Sequence, residues 1–404
     1  MDSVTLLVFA LVYLGMVLGG LPGLAIDRTG VAVLGAIALV ATGRVSLERA
    51  WNAIDASTVT LLLGLMVVSA QFRLGGFYSA VTRRLASASM SPPRLLLAVI
   101  LVAAGLSALL ANDIVCLAMA PLLVEGCLRR GMNPAPFLLA LACAANVGSA
   151  ATLIGNPQNM LIGQALDVSF AGYLADGLAP AAVGCLAVWG IIARRYRAGW
   201  QAPAARACVA ARELNRWQTA KGAAVLIGLL IVFLAGGMAR DVAALAAAGL
   251  LLTSRKLHTR EMLALVDWPL LLLFAGLFIV NDALQATGLV ASSLDRLAGA
   301  GVDVRRPAAL FVVTTVLSNV VSNVPAVMLL LPAAEHPQSA AILALSSTLA
   351  GNLLLVGSIA NIIVVDQARQ LNVHIGWREH ARVGVPVTLA TLAIAAGWLM
   401  VRSP

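Results

Sequence analysis

Gly155-Asn156-Pro157-Gln158-Asn159 interrupts an apolar run at 137–166, and Gly357-Ser358-Ile359-Ala360-Asn361 interrupts another at 339–371. Such a pentapeptide does not continue a helix, because Pro removes a backbone donor and Asn or Ser side chains compete for the backbone. Each run therefore reads as a helix that stops and restarts. Two further apolar segments, 95–126 and 307–334, break near their middles, at Ala111-Asn112-Asp113 and at Ser322-Asn323-Val324-Pro325. These read as re-entrant hairpins. The four breaks pair because the chain repeats itself: one displacement puts Asp55 on Asp267, Gly64 on Gly276, Gly76 on Gly288 and Arg94 on Arg306. One residue out of that register, Leu106-Ser107-Ala108-Leu109-Leu110-Ala111-Asn112 falls on Leu317-Ser318-Asn319-Val320-Val321-Ser322-Asn323, and Pro121 on Pro332. Weak internal symmetry whose matched Gly, Pro and Asn residues interrupt apolar segments points to a secondary transporter and its binding site.

Composition sets the solvent. With 61% hydrophobic and 11% charged residues and a mean hydropathy of +0.94, most of the chain belongs in lipid. The net charge of +9 is spread between apolar segments rather than gathered in one patch, which argues for positive-inside topology and against nucleic acid. The run from Val4 to Leu18 follows Asp2 and lacks a basic leader, so it reads as a first spanning helix. Cys116, Cys127, Cys143, Cys185 and Cys208 are odd in number and mostly sit in apolar runs, so they imply packing and no disulfide framework.

The expected fold is an all-α polytopic membrane protein of two inverted repeats, about ten transmembrane helices plus the two hairpins. The first repeat covers 1–197, with spans at 4–20, 29–43, 57–72, 137–166 and 170–193. The second covers 221–404, with spans at 222–238, 241–254, 267–285, 339–371 and 381–401. Between them, 198–220 is a linker in a basic stretch that carries Arg194, Arg195, Arg197, Arg206, Arg212, Arg216 and Lys221 against Glu213 alone. That stretch is expected in the cytoplasm. Counting outward puts 167–176 outside, with Asp167 and Asp176 and no base, and both termini extracytoplasmic at the bacterial inner membrane. Five crossings per repeat invert the second repeat. Arg296, Arg305 and Arg306 fall outside against the rule, accompanied by Asp295 and Asp303.

Chemistry concentrates at the breaks. Asn112, Asn323, Asn156 and Ser358 are N-cap types, Pro157 stands at a first helical position, and Pro325 falls in a first turn. A restarted helix offers free N–H groups and a positive dipole end to an anion. The breaks contain no basic residue. Substrate binding is therefore assigned to Asn112, Asn156, Gln158, Asn159, Asn323, Ser358 and Asn361. The preceding half-helices end in free carbonyls, so cation or proton coupling is assigned to Ser107, Asp113, Gly155, Ser318, Ser322 and Gly357. Asp113 has no partner in the second repeat, where Val324 stands. An intramembrane carboxylate is a cation ligand or a proton carrier. Asp282, Glu125 and Arg73 read as solvated, and His258, His336, His374 and His380 fall in expected loops.

These motifs resemble the ion transporter superfamily, which holds divalent anion/sodium symporters, citrate-type transporters, arsenite permeases and a class of sodium/proton antiporters. Ser318-x-x-x-Ser322-Asn323 is similar to the sodium-binding pattern of the symporters, whereas Ser107-x-x-x-Ala111-Asn112 lacks one hydroxyl. Asn112-Asp113 is more similar to the arsenite and citrate-like branches. The resemblance implies a homodimer whose transport domain moves against a scaffold like an elevator. The expected function is secondary transport of a small anion coupled to sodium or protons. Arsenite or antimonite efflux and sodium/proton antiport are the alternatives. No nucleophile–base pair, nucleotide loop or metal-ligand spacing suggests an enzyme, and no cofactor is expected beyond the coupling ions.

Overall fold

The structure, a computed structural model, describes residues 3–21, 23–201 and 212–402. The described residues of the first half form ten helices: α1 (Ser3–Leu18), α2 (Arg28–Ala41), α3 (Leu47–Ala53), α4 (Ala56–Leu74), α5 (Phe77–Ser87), α6 (Pro92–Leu109), α7 (Asn112–Arg129), α8 (Ala135–Ser149), α9 (Pro157–Ala165) and α10 (Phe170–Arg195). In the second half the same order recurs as α11 (Arg216–Ala235), α12 (Arg240–Leu252), α13 (Thr259–Leu263), α14 (Trp268–Ala286), α15 (Leu289–Gly299), α16 (Pro307–Val321), α17 (Asn323–Leu330), α18 (Ser339–Ala350), α19 (Ile359–Gln370) and α20 (Trp377–Val401). Local chemistry is matched as well. Asp55 and Asp267 cap α4 and α14 by accepting from the third residue on, and Gly76 and Gly288 turn the chain into α5 and α15 at φ 72°.

Six of the described helices, α4, α6, α10, α11, α14 and α20, are long and apolar enough to cross a membrane. Leu7, Leu11 and Leu14 on α1 and Ile227, Ile231 and Leu234 on α11 are exposed, as lipid-facing positions are. At about 1.5 Å per residue, α2 and α12, of 14 and 13 residues, fall short of a ~30 Å hydrocarbon core. They are held elsewhere: α4 packs on α12 and α14 on α2. Glycines make both contacts, since a Cβ on Gly64 meets the Ala244 carbonyl at 2.7 Å and one on Gly276 meets Ala32 at 2.7 Å. Small residues of this kind let backbones approach in the absence of a hydrophobic drive.

Both expected broken helices are discontinuous. α8 and α9 are separated by 150–156, and α18 and α19 by a segment holding a short 3-10 turn, Leu355–Gly357. The 95–126 segment is the α6–α7 pair, two arms of 18 residues each. Its second-half counterpart is shorter, 15 residues in α16 and 8 in α17, which passes into a 3-10 turn at Leu331–Ala333. Four short helices, α3, α5, α13 and α15, were outside the expected spans. His380 is a correction: it lies inside α20 and is buried. Arg206 and Cys208 lie outside the described residues; Cys116, Cys127, Cys143 and Cys185 are buried free thiols.

Candidate substrate and coupling-ion site

The helix restarts define the site. Asn156 Oδ1 accepts from the Asn159 N–H at 2.9 Å and Ser358 Oγ from the Ala360 N–H at 3.2 Å, so both cap as their types predict. Pro157 is the first residue of α9 and Pro325 is in the first turn of α17. The hairpin asparagines differ from expectation. Asn112 and Asn323 are the first residues of α7 and α17, and the caps are Ala111 and Ser322, with no side-chain cap bond at either. The chain turns one residue early at each tip. The Asn side chains are thereby released from the backbone and free for other partners.

The two broken helices carry the same bonds at a constant offset. Asn159 Nδ2 donates to the Ser149 and Thr152 carbonyls (3.3 and 3.0 Å), and Asn361 Nδ2 donates to Gly351 and Leu354 (2.9 and 3.2 Å). Each Asn thus ties the second half-helix to the loop that broke the first. Tyr173 donates to the Ala150 carbonyl at 2.8 Å, and His380 Nε2 lies 3.1 Å from the Asn352 carbonyl. Gly177 and Gly384 face those same two carbonyls, where a Cβ would collide.

The halves also clamp each other. Asn146 of α8 donates to Asn352 Oδ1 (2.8 Å) and Asn361 Oδ1 (3.2 Å) and accepts from Ser358 Oγ (2.9 Å). At the matched place in α18, Thr348 accepts from Asn156 (3.1 Å) and Gln158 (3.2 Å) and donates to Asn159 Oδ1 (3.3 Å). Neither Asn146 nor Thr348 was singled out in the sequence. A lone polar residue in an apolar run carries no local signal, and the partners are about two hundred residues away.

The hairpins close on these loops. The backbone carbonyl of Ser107 lies 2.8 Å from where a Gly155 Cβ would be, and Asn319 Oδ1 and the Gly351 carbonyl both lie 3.2 Å from a Gly357 Cβ. A side chain at Gly155 would collide with backbone, and one at Gly357 would crowd both oxygens. Asn323 Nδ2 and Ser358 Cβ both lie 3.3 Å from a Gly351 Cβ, which places the second tip beside the second restart. Among the described residues, Ser107 Oγ, Ser318 Oγ, Asn319 Oδ1 and Asn323 Oδ1 are buried without a hydrogen-bond partner. Buried polar atoms are rarely left so, and each costs roughly 1–3 kcal/mol. One of these oxygens, Asn319 Oδ1, stands at Gly357; hydroxyl and amide oxygens without partners are hard donors of the kind a desolvated cation takes. Ser322 has φ 78° and ψ 161°, a conformation favoured by glycine, and its strain of about 1–3 kcal/mol sits at the tip.

At the first tip a cavity of about 130 Å³ is lined by Asn112, Asp113 and Asn156 together with Arg73 and Asp267. Ser69 of α4 reaches this tip, its Oγ 3.4 Å from the Ala111 N–H, and brings a hydroxyl to the place where the sequence has Ala instead of Ser. A vestibule of about 690 Å³, lined by Arg73, Tyr78, Arg212, Gln367 and Gln370, adjoins the smaller cavity and shares Arg73, Leu117 and Leu265 with it. Arg73 therefore stands at the neck, and its guanidinium has no ion-pair partner among the described residues. This corrects its reading as a solvated residue. Glu125 is corrected too, being buried and paired with Arg129 at 2.5 Å, whereas Asp282 is partly exposed and paired with Arg49 at 2.7 Å. Among the described residues no cluster of three His, Cys, Asp or Glu side chains offers a metal site.

Apolar helices with exposed aliphatic faces, two of them broken around a buried polar centre that a cavity reaches, define a multi-pass membrane transporter. The chain belongs to the citrate transporter family, whose pattern it matches over residues 6–341. It is 30% identical over 405 residues to the 46 kDa membrane protein of Mycobacterium leprae (strain TN), covering 93% of this chain and 94% of that one. It is 28% identical over 472 residues to the silicon efflux transporter LSI3 of Oryza sativa subsp. japonica, covering 96% and 95%. Its fold is similar to the crystal structure of the Alcanivorax borkumensis YdaH transporter, with a TM-score of 0.59 at 16% identity over 98% of this chain and 96% of that one.

Proposed function

We propose that the protein is a secondary active transporter of a small anion, coupled to sodium or protons, built from two inverted repeats in the inner membrane. The observation that carries this reading is the unpaired Arg73 at the neck between a vestibule and a cavity that ends at Asn112, Asp113 and Asn156. Arg73 sets a positive charge above the amide groups and helix N-termini of a cavity that Asp113 and Asp267 also line, and it is the group that draws in an anion. The Ser107, Ser318, Asn319 and Asn323 oxygens ligate the cation, and Asp113 carries a proton or completes a cation shell. The vestibule is lined by Arg212 of the basic linker, so this conformation opens to the cytoplasm if positive-inside topology holds. Transport then requires the hairpins and broken helices to move against the α2–α14 and α4–α12 pairs, and a homodimer would anchor that scaffold.

A second reading is efflux of a small neutral hydroxide such as arsenite or silicic acid, favoured by the likeness to the rice silicon efflux transporter. Proteoliposome flux with a panel of inorganic and organic anions, arsenite and silicic acid, under separately imposed sodium and pH gradients, decides between them. Arg73→Gln is expected to raise the KM for an anion about tenfold, the effect of losing roughly 1.4 kcal/mol of attraction. The same substitution leaves the KM for a neutral hydroxide unchanged. An anion KM unmoved in folded Arg73→Gln would refute the anion reading.

A further inference from the structure

We infer that the groove between α5 and α7 binds the headgroup phosphate of an anionic phospholipid from the leaflet on the linker side. The groove is a space of about 1000 Å³ whose charged lining is Arg83 and Arg84 on one wall and Glu125, Arg129 and Arg130 on the other. Arg130 is committed to structure, donating to the Ala86, Ala88 and Met90 carbonyls at 3.3, 2.9 and 2.9 Å. Glu125 is spent on Arg129. The exposed guanidinium groups of Arg83 and Arg84 have no ion pair among the described residues. Four bases against one acid thus hold a pocket shape, with Leu122 in its lining. A phosphodiester with an acyl chain beneath it matches that lining.

The position fits a lipid. Just after α7, Met132 pairs with Gln201 and the Asn133 N–H bonds to Trp200, so this end of α7 meets the start of the linker. Polybasic grooves at the cytoplasmic membrane surface are drawn to anionic headgroups. The matched surface in the second half supplies an internal control. Where α5 has Arg83-Arg84, α15 has Asp295-Arg296, and Arg305 bonds both Asp295 (3.0 Å) and Glu335 (3.3 Å). Two acids balance two bases there. If the charge served only to mark helix ends, its pocket geometry around α5 and α7 would have no purpose. Because α7 begins at Asn112 and Asp113, a headgroup held at its far end steadies the hairpin that carries the first tip.

The test uses the full-length protein in neutral detergent, with thermal unfolding followed during titration by phosphatidylglycerol, phosphatidylcholine or inorganic phosphate. Phosphatidylglycerol is expected to raise the unfolding temperature with saturation, and Arg83→Gln/Arg84→Gln is expected to weaken that apparent affinity on the order of tenfold or more. Arg296→Gln, at the matched position, leaves it unchanged. Equal stabilisation by phosphatidylcholine, a full response in the Arg83/Arg84 double variant, or a response to inorganic phosphate as large as that to phosphatidylglycerol overturns the assignment.

Discussion

The two restarts of the broken helices are alike and the two hairpin tips are not. Asn159 and Asn361 make the same pair of carbonyl bonds, and Asn146 and Thr348 each clamp the opposite restart. At the tips, the first has an unstrained Ala111 followed by Asn112 and Asp113, with Ser69 reaching in from α4. The second has a strained Ser322 followed by Asn323 and Val324. The shared part is a frame that holds two backbone gaps open at fixed places. The unshared part is where one tip differs chemically from the other, and coupling is assigned to it.

The largest effect is expected from breaking the frame. Asn146→Ala removes three side-chain bonds from the buried centre and should cost about 3 kcal/mol, since each orphaned polar group costs roughly 1–3 kcal/mol. Thr348→Ala deprives Asn156, Gln158 and Asn159 of weaker, longer bonds and should cost about half as much. Thermal unfolding of both variants checks the ranking; equal and negligible losses would mean the clamps do not hold the frame.

At the tips the effect moves from stability to binding. Asn323→Ala should weaken substrate or cation affinity by about 1–3 kcal/mol, because its buried Oδ1 has no protein partner to lose. Isothermal titration with a transported anion and sodium measures this, and unchanged affinity in a folded variant would remove Asn323 from the site. The smallest effects have opposite signs. Ser322→Gly should stabilise by roughly 1 kcal/mol through relief of strain, offset in part by glycine's backbone entropy, while Ala111→Gly should destabilise by about 0.5–1 kcal/mol. Denaturation curves for the pair sharpen the contrast, and a loss of stability in Ser322→Gly would mean its hydroxyl outweighs its strain.

The breaks were legible in the sequence because Gly, Pro and Asn are conspicuous in apolar runs, and their pairing was legible from the offset. Asn156, Pro157 and Ser358 took up the cap and first-turn places that their chemistry dictates. Asn112 and Asn323 missed by one residue, since the turn is closed by Ala111 and Ser322, and no side-chain rule makes Ala a cap. α5 and α15 were missed because eleven residues with interspersed charge carry no spanning signal. Arg73 read as a solvated helix end, and only the fold reveals that it lines a cavity with Leu117 of α7 and Leu265. Arg305 and Arg306, which broke the positive-inside count, are neutralised locally by Asp295, Glu335 and Asp303.

Asp113, the carboxylate present at one tip and absent from the other, is the residue proposed to couple the driving ion to the substrate. The direct measurement is transport by Asp113→Asn in proteoliposomes, comparing gradient-driven uptake with substrate counterflow, which needs no gradient. Counterflow is expected to persist while gradient-driven uptake is lost. If Asp113 carries a proton, the pH dependence disappears with it; if it binds sodium, the sodium requirement rises and the pH profile stays. Wild-type gradient-driven uptake by Asp113→Asn would show that Asp113 has no part in coupling.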